Sequence, residues 1–258
     1  MRYPAINNES YSSMRNALRL LNLFTIEEPE LNLSEIADKL QIAHSTAHRL
    51  TNTLLHSGLL VKEPIMKTYR PASSILSMGN IFLKRYRLSQ YSIPILEELT
   101  KKTGETAHIS ILKDNKVVYL YKVDSLHPVH LLSHAGRQNP VHCTSSGQAI
   151  LAYQPDREIQ AVIEKGLEAY TAKTITSPNE FIKTLANIRY QGYAVSNEEL
   201  HHGVTSIAAP IYSRGRVVAS VSIAGPTTRI SQLKAEVLIK LVKVAATKIS
   251  DSTNEVIK

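Results

Sequence analysis

Two short amphipathic stretches held apart by three residues constrain this chain more than any other feature. They run through "NLSEIADKLQIAHSTAHRLTNTLLHSG", Asn32 to Gly58. Asn32 followed three residues on by Glu35 is a capping-box start, and Leu33, Ile36, Ala37 and Leu40 form one apolar side. Gln41 to Ala43 break the pattern. Ala43, Ala47, Leu50 and Leu54 then return at helical spacing, and Gly58 suits a helix C-terminus. With an earlier helix near 13–26 (Met14, Ala17, Leu18, Leu21, Phe24), the three predict a helix-turn-helix.

The second stretch is unusual on its polar side. His44, Ser45, Thr46, His48, Arg49, Thr51 and Asn52 offer hydrogen-bonding groups and no carboxylate. A solvated helix face usually mixes both charge signs. A face without acids escapes repulsion by phosphate, and Arg or Asn side chains pair with purine edges in the major groove. His44, Ser45 and Thr46, near the helix start, are placed to reach bases or backbone. Next, Leu60–Glu63 and Thr68–Arg70 flank a turn with Pro64, a β-hairpin wing carrying Lys62, Lys67, Tyr69 and Arg70. Charge supports the same partner, double-stranded operator DNA. From Gln41 to Arg87 there are seven basic residues and one acid, +6 of the chain's net +8.

"SSILSMGNIFLKRYRL" follows, with Ile75, Met78, Phe82 and Tyr86 on one stripe that needs a partner, most simply its own copy in a dimer. From about Ser89 the pattern is mixed α and β. It comprises a helix in "YSIPILEELTKKTG", a hairpin turning at Asp114 and Asn115, and a short helix in "SSGQAILAYQ". A longer helix at 178–190, three strands from Gly192 to Gly225 and a helix from Leu233 to Ile249 complete it. The expected organisation is a winged helix-turn-helix domain at 1–72, a linker helix at 73–88 and an α/β domain at 89–258. No run of about 18 apolar residues predicts a membrane span. The single cysteine, Cys143, suits a reducing compartment, so a cytoplasmic protein is expected.

The first 88 residues resemble the winged helix-turn-helix of IclR-type bacterial transcription regulators, through the stretch above and the wing "KTYRP". The second half resembles that family's effector-binding domain. Gly192, Ser196, Glu199, Ser206, Ile207, Ala208, Ile211 and Tyr212 match its signature, and Ser213 departs from the expected Asp or Asn. "PVHCTSSGQAILA" is also similar, with Gln148 where a Lys or Arg is commoner. The resemblance implies a GAF-like α/β domain that binds a small organic molecule, in dimers that often pair into tetramers. It implies a ligand pocket at Ser145, Ser146, Ser196, Val204, Ser206 and Ser222, with Val129 and Leu131 on the apolar side. Ser145, Ser146 and Gly147 open a helix, whose unpaired N–H groups favour an anion. Ser196 stands where some members carry Asp. The expected effector is therefore a small organic acid (keto, sugar or aromatic), with no cofactor, no metal and no catalysis.

Two alternatives stay open. His127, His130, His134, His142 and Cys143 lie close together and suggest a metal-responsive regulator, although none has a zinc motif's spacing. A small-molecule hydrolase needs a nucleophile such as Cys143 beside His142, or "TSSGQ". Neither carries a G-x-S-x-G elbow or an orienting acid.

Overall fold

The computed structural model describes residues 12–85, 88–125, 133–230 and 232–255. The chain divides into two compact units, Met1–Arg85 and Tyr86–Lys258.

In the first unit, α1 (Ser13–Leu21), α2 (Leu33–Leu40) and α3 (His44–His56) precede a wing of β1 (Leu60–Lys62) and β2 (Tyr69–Pro71). The capping box of α2 is complete. The Asn32 side chain accepts from the Glu35 N–H at 3.0 Å, and Glu35 accepts from the Asn32 N–H at 2.8 Å. Gln41 adopts the left-handed conformation (φ 55°), which turns the chain into α3 within three residues. Leu20, Leu31, Ile36, Leu40, Ala47, Leu50, Leu54, Leu60 and Tyr69 make the core. Arg19 on α1 donates to the last carbonyl of α2, Leu40, at 3.2 Å. Leu31 pairs with Tyr69, tying the wing to the segment before α2. The first helix is shorter than the expected 13–26. Asn22 closes it by donating its side-chain amide to the Leu18 carbonyl at 2.9 Å, and Phe24 packs on the core from the following turn. Helix α4 (Ser74–Arg85) ends the unit.

The second unit is a six-stranded antiparallel sheet with helices on both faces. Its strands are β3 (Thr106–Lys113), β4 (Lys116–Val123), β5 (Gln138–Pro140), β6 (Ala194–Asn197), β7 (Val204–Ser213) and β8 (Arg216–Pro226). Their order is β5-β4-β3-β8-β7-β6. The β3–β4 turn places Asp114 and Asn115 at φ 51° and 59°, as a two-residue hairpin of this kind requires. Helices α5 (Leu88–Thr103) and α9 (Gln232–Glu255) pack on one another and on the sheet. Helix α6 (Ser145–Leu151) packs on the sheet with α8 (Pro178–Gln191) behind it, and α7 (Asp156–Glu164) lies between these two in sequence.

Strand alternation decides what each face offers. In β8, "SVSIA" sends Val221 and Ile223 to one face, and Ser220, Ser222 and Ala224 to the other. Register aligns Ser222 with His108 on β3 and Ala208 on β7, and Ser206 with Ser196 on β6. The α6 face of the sheet is therefore rich in hydroxyls, while the opposite face is aliphatic. Strand β5 and helix α7 are additional to the elements expected from sequence, and α5 begins at Leu88 rather than Tyr91.

Candidate functional site

The first unit presents α3. Its buried side is Ala47, Leu50, Thr51 and Leu54. His44, Ser45, His48 and Arg49 are exposed on the other side, with Thr46 and Asn52 half-buried beside them. The stripe rotates slightly from expectation, because Ala43 is the exposed N-cap and Thr51 replaces it inside. The Thr51 hydroxyl stays satisfied by donating to the Ala47 and His48 carbonyls, each at 3.0 Å. Ala43 gives α3 no side-chain cap, so its first-turn N–H groups point outward unbonded to any capping side chain. Arg49 reaches the Ser13 hydroxyl at 3.3 Å, which holds it against α1 without burying it. On the wing, Lys62, Lys67 and Arg70 are exposed. Tyr69 corrects the sequence reading. Its ring is 2% exposed in the core and the Lys62 ammonium lies 5.4 Å from its centroid, so it supports the wing instead of facing a partner.

The second unit gathers a cavity beneath α6. Six of the residues named from sequence line it: Ser145, Ser146, Ser196, Val204, Ser206 and Ser222. The hydroxyls are paired across the site. Ser145 donates to Ser206 at 2.8 Å and Ser146 to Ser222 at 2.9 Å. Ser196 donates to the Cys143 carbonyl at 3.2 Å, and Ser220 to the Ser146 carbonyl at 3.1 Å. Thr144 caps α6, accepting from the Gly147 N–H at 3.3 Å. Gly147 itself is not part of the lining. It lets α6 approach the Val141 backbone, where an added Cβ would stand 2.7 Å from the Val141 Cα. Val129 and Leu131 lie outside the described residues, as do Tyr86, His127 and His130.

The cavity also takes His108, Tyr119, Ser133, Asn139, Leu200 and His201. The His108 Nε2 is 2.9 Å from the Ser133 hydroxyl, and its ring stacks at 4.8 Å on Tyr119. Its Nδ1 is buried and has no hydrogen-bond partner among the described residues. Burial, reinforced by Lys122, pushes this imidazole down to about 3, so it is neutral. Asn139 donates to the Tyr119 hydroxyl at 3.3 Å. His201 is exposed at the rim, while His202 is exposed away from the lining. The one sequence signal for His108 is its place in the alternation of "TAHISIL", where it stands on the inner face.

Behind the lining, Gln148 donates at 2.7 Å both to the His142 carbonyl and to Glu199. Burial raises Glu199 to about 7, with the Gln148 hydrogen bond only partly opposing it. His142 contacts the Glu168 carbonyl at 2.9 Å, and burial pushes the Cys143 thiol up. A buried thiol of this kind stays protonated, which does not suit a nucleophile. Among the described residues, no three His, Cys, Asp or Glu side chains are grouped to hold a metal, and none of the helices searched there is long and apolar enough to cross a membrane. The metal-responsive alternative finds no support among the described residues, which leave out His127 and His130.

A winged helix-turn-helix followed by an α/β unit with a hydroxyl-lined cavity defines the class of effector-responsive transcriptional regulators. Family comparison makes this specific. Residues 81–251 match the description "Bacterial transcriptional regulator IclR C-terminal", and residues 13–64 match "IclR helix-turn-helix domain". The chain belongs to the IclR family, with a DNA-binding helix-turn-helix domain and an effector-binding C-terminal domain. It is 31% identical to the HTH-type transcriptional regulator KdgR of Escherichia coli (strain K12), covering 94% of this chain and 92% of that one. It is also 31% identical to the HTH-type transcriptional regulator BhcR of Paracoccus denitrificans (strain Pd 1222), covering 92% and 86%. Among solved structures, Thermotoga maritima IclR matches with TM-score 0.79 and 29% identity over 93% of this chain and 98% of that one. An IclR homolog from Microbacterium hydrocarbonoxydans, complexed with 4-hydroxybenzoate, matches with TM-score 0.84 and 26% identity over 94% and 99%.

Proposed function

We propose that this regulator reads its operator with the exposed side of α3 and answers to a small organic acid held under α6. His44, Ser45 and Thr46 meet bases or phosphate, while His48, Arg49 and Asn52 lie along the groove; Lys62, Lys67 and Arg70 supply backbone contacts from the wing. The unbonded first-turn amides of α3 favour a phosphate oxygen. Met78 and Ile81, three residues apart, leave α4 with an exposed apolar side, and Leu76 is exposed elsewhere on it. The reading is that α4 links the two domains and pairs with a second copy in a dimer, two of which form a tetramer. A protein working on chromosomal DNA acts in the cytoplasm, and no catalytic step is assigned to it.

One observation carries the effector assignment. His108, whose Nδ1 is buried with no hydrogen-bond partner among the described residues, lines the same cavity as seven side chains from α6 and strands β6 to β8. A polar atom left unmade in the interior costs about 1–3 kcal/mol, which a ligand that bonds it recovers. Neutral polar groups line the site: hydroxyls, an imidazole and the Asn139 amide. They suit a carboxylate on an oxygen-bearing skeleton, with Val204 and Leu200 covering its carbons. That the Microbacterium homolog is complexed with 4-hydroxybenzoate, itself an acid, supports this class. Thermal-shift and calorimetric screening of metabolic acids, amines and neutral analogues against the full chain tests it. Acids should bind, and Ser146→Trp should abolish their binding. Binding of only neutral or cationic compounds, or acid binding that survives Ser146→Trp, refutes the assignment.

A further inference from the structure

The wing ends in an unusual way for a solvated hairpin. Its tip, 63–68, is well held. The Glu63 N–H donates to the Thr68 carbonyl at 2.8 Å, and the Lys67 N–H to the Glu63 carbonyl at 3.0 Å, with Lys67 at φ 56°. The Ile65 N–H leans on the Glu63 carboxylate at 3.4 Å. Yet the apex of this ordered turn is apolar. Ile65 is 86% exposed and Met66 71%, side by side, and no described residue covers them. Turn tips normally carry Gly, Asn, Asp or Ser.

The charges around the apex say what can cover it. Lys62 and Lys67 flank it in solvent, and Arg70 stands lower on β2. The acids nearby are engaged. Glu63 is half-buried in the turn, and Glu30 accepts from the Thr68 hydroxyl at 2.9 Å with the Arg70 guanidinium 3.9 Å away. An apolar point inside a cationic collar complements a duplex groove, whose rims are phosphates and whose floor is stacked bases. A protein partner with an apolar pocket would not need the collar. Lys62 and Tyr69 are the last paired residues of the wing, so the apex carrying Ile65 and Met66 projects beyond its Tyr69 anchor.

We propose that the wing tip is a minor-groove wedge, in which Ile65 and Met66 enter between base steps and bend the operator. The proposal rests on the DNA-binding reading. Partial unstacking costs a few kcal/mol, so the wedge favours the flexible steps TA and CA/TG beside the bases read by α3. Sequence preference thereby arises at a position that no hydrogen bond reads.

The probe is a duplex enriched from a random pool by the full-length wild-type protein, end-labelled with a donor and acceptor pair. Wild-type protein should raise energy transfer by bending it. Ile65→Ser/Met66→Ser should bind about tenfold more weakly with the bend lost and the salt dependence unchanged, since no phosphate contact is removed. Ile65→Leu/Met66→Leu should bind and bend as wild type does. Equal bending by wild type and the serine variant overturns the wedge. So does failure of the leucine variant to bend, or a serine variant whose only defect is self-association in sedimentation. Failure of the random pool to enrich at all would instead strike at the DNA-binding assignment.

Discussion

Replacing Glu199 by Gln should change how stability depends on pH, because two buried groups of the effector domain pull in opposite directions. Glu199 has a folded value near 7 against an ordinary 4.5. Its contribution is fully present below pH 4.5 and is lost as pH rises through about 7. His108 has a folded value near 3 against an ordinary 6.5. Its contribution is present above pH 6.5 and is lost as pH falls through about 3. Each group follows a slope of about 1.4 kcal/mol per pH unit where the two states differ by one proton. Between pH 4.5 and 6.5 the slopes are opposite, so they largely cancel. In Glu199→Gln, whose amide oxygen can still accept from Gln148, only the histidine's slope survives. Stability relative to wild type should therefore rise by about 3 kcal/mol from pH 4.5 to 7. In His108→Gln the difference should run the other way, falling by about 3 kcal/mol from pH 4.5 to 6.5. Urea unfolding of the full chain, followed by far-ultraviolet circular dichroism at half-unit pH steps, measures both differences, and all other titrating groups cancel between variants. A Glu199→Gln curve parallel to wild type across this range refutes the buried neutral carboxyl.

On the DNA side, log affinity should fall linearly with log salt. Lys67→Ala should reduce that slope by about one and weaken all sequences alike. Arg49→Ala should cost roughly 1–3 kcal/mol in operator affinity, as gel retardation would report. Circular dichroism should be unchanged because Arg49 is exposed, and a melted domain would remove it as a contact. Met78→Asp/Ile81→Asp, at exposed positions on α4, should halve the proposed assembly in sedimentation, tetramer to dimer or dimer to monomer. A variant that keeps the wild-type sedimentation at micromolar concentration would move the α4 contact elsewhere.

The elements that sequence predicts well are those whose cause is local. Asn32 and Glu35 are three residues apart and bond each other, so α2 announces its own start. Asp114 and Asn115 fit the left-handed turn with no help from the rest of the chain. Strand β5 is the opposite case. Gln138–Asn139–Pro140 has neither alternation nor β-branched residues, and it is a strand because Lys116–Val118 offers a free edge. Helix α7 did carry signals, with Pro155 before it, Asp156 and Glu158 in its first turn and Ile159 and Val162 inside. Tyr69 misled because aromatic residues among lysines suit nucleic acid equally well. In a three-residue strand, alternation is too short to show which side faces the core.

The effector site divides along the same line, and the division shows what the family pattern encodes. The serines on α6, β6 and β7 fall in stretches that resemble the family, and Ser222 on β8 belongs to the pocket that the resemblance implies. His108 lies outside those stretches and joins them only because β3 pairs with β8, 114 residues later at the Ser222 register. Its role is physically distinct as well. The serine hydroxyls satisfy one another, Ser145 with Ser206 and Ser146 with Ser222, so an effector that bonds them must first break those pairs. The net gain from such an exchange is small. Among the described residues, the His108 Nδ1 has no bond to give up. Binding energy at this cavity should therefore depend more on the imidazole than on any one serine. His108→Phe, which keeps the ring and removes both nitrogens, should lower acid affinity more than Ser206→Ala does. Calorimetry with an acid found by the screen compares the two variants. If Ser206→Ala proves the more damaging, the serine pairs are the recognition groups and the histidine only packs against Tyr119.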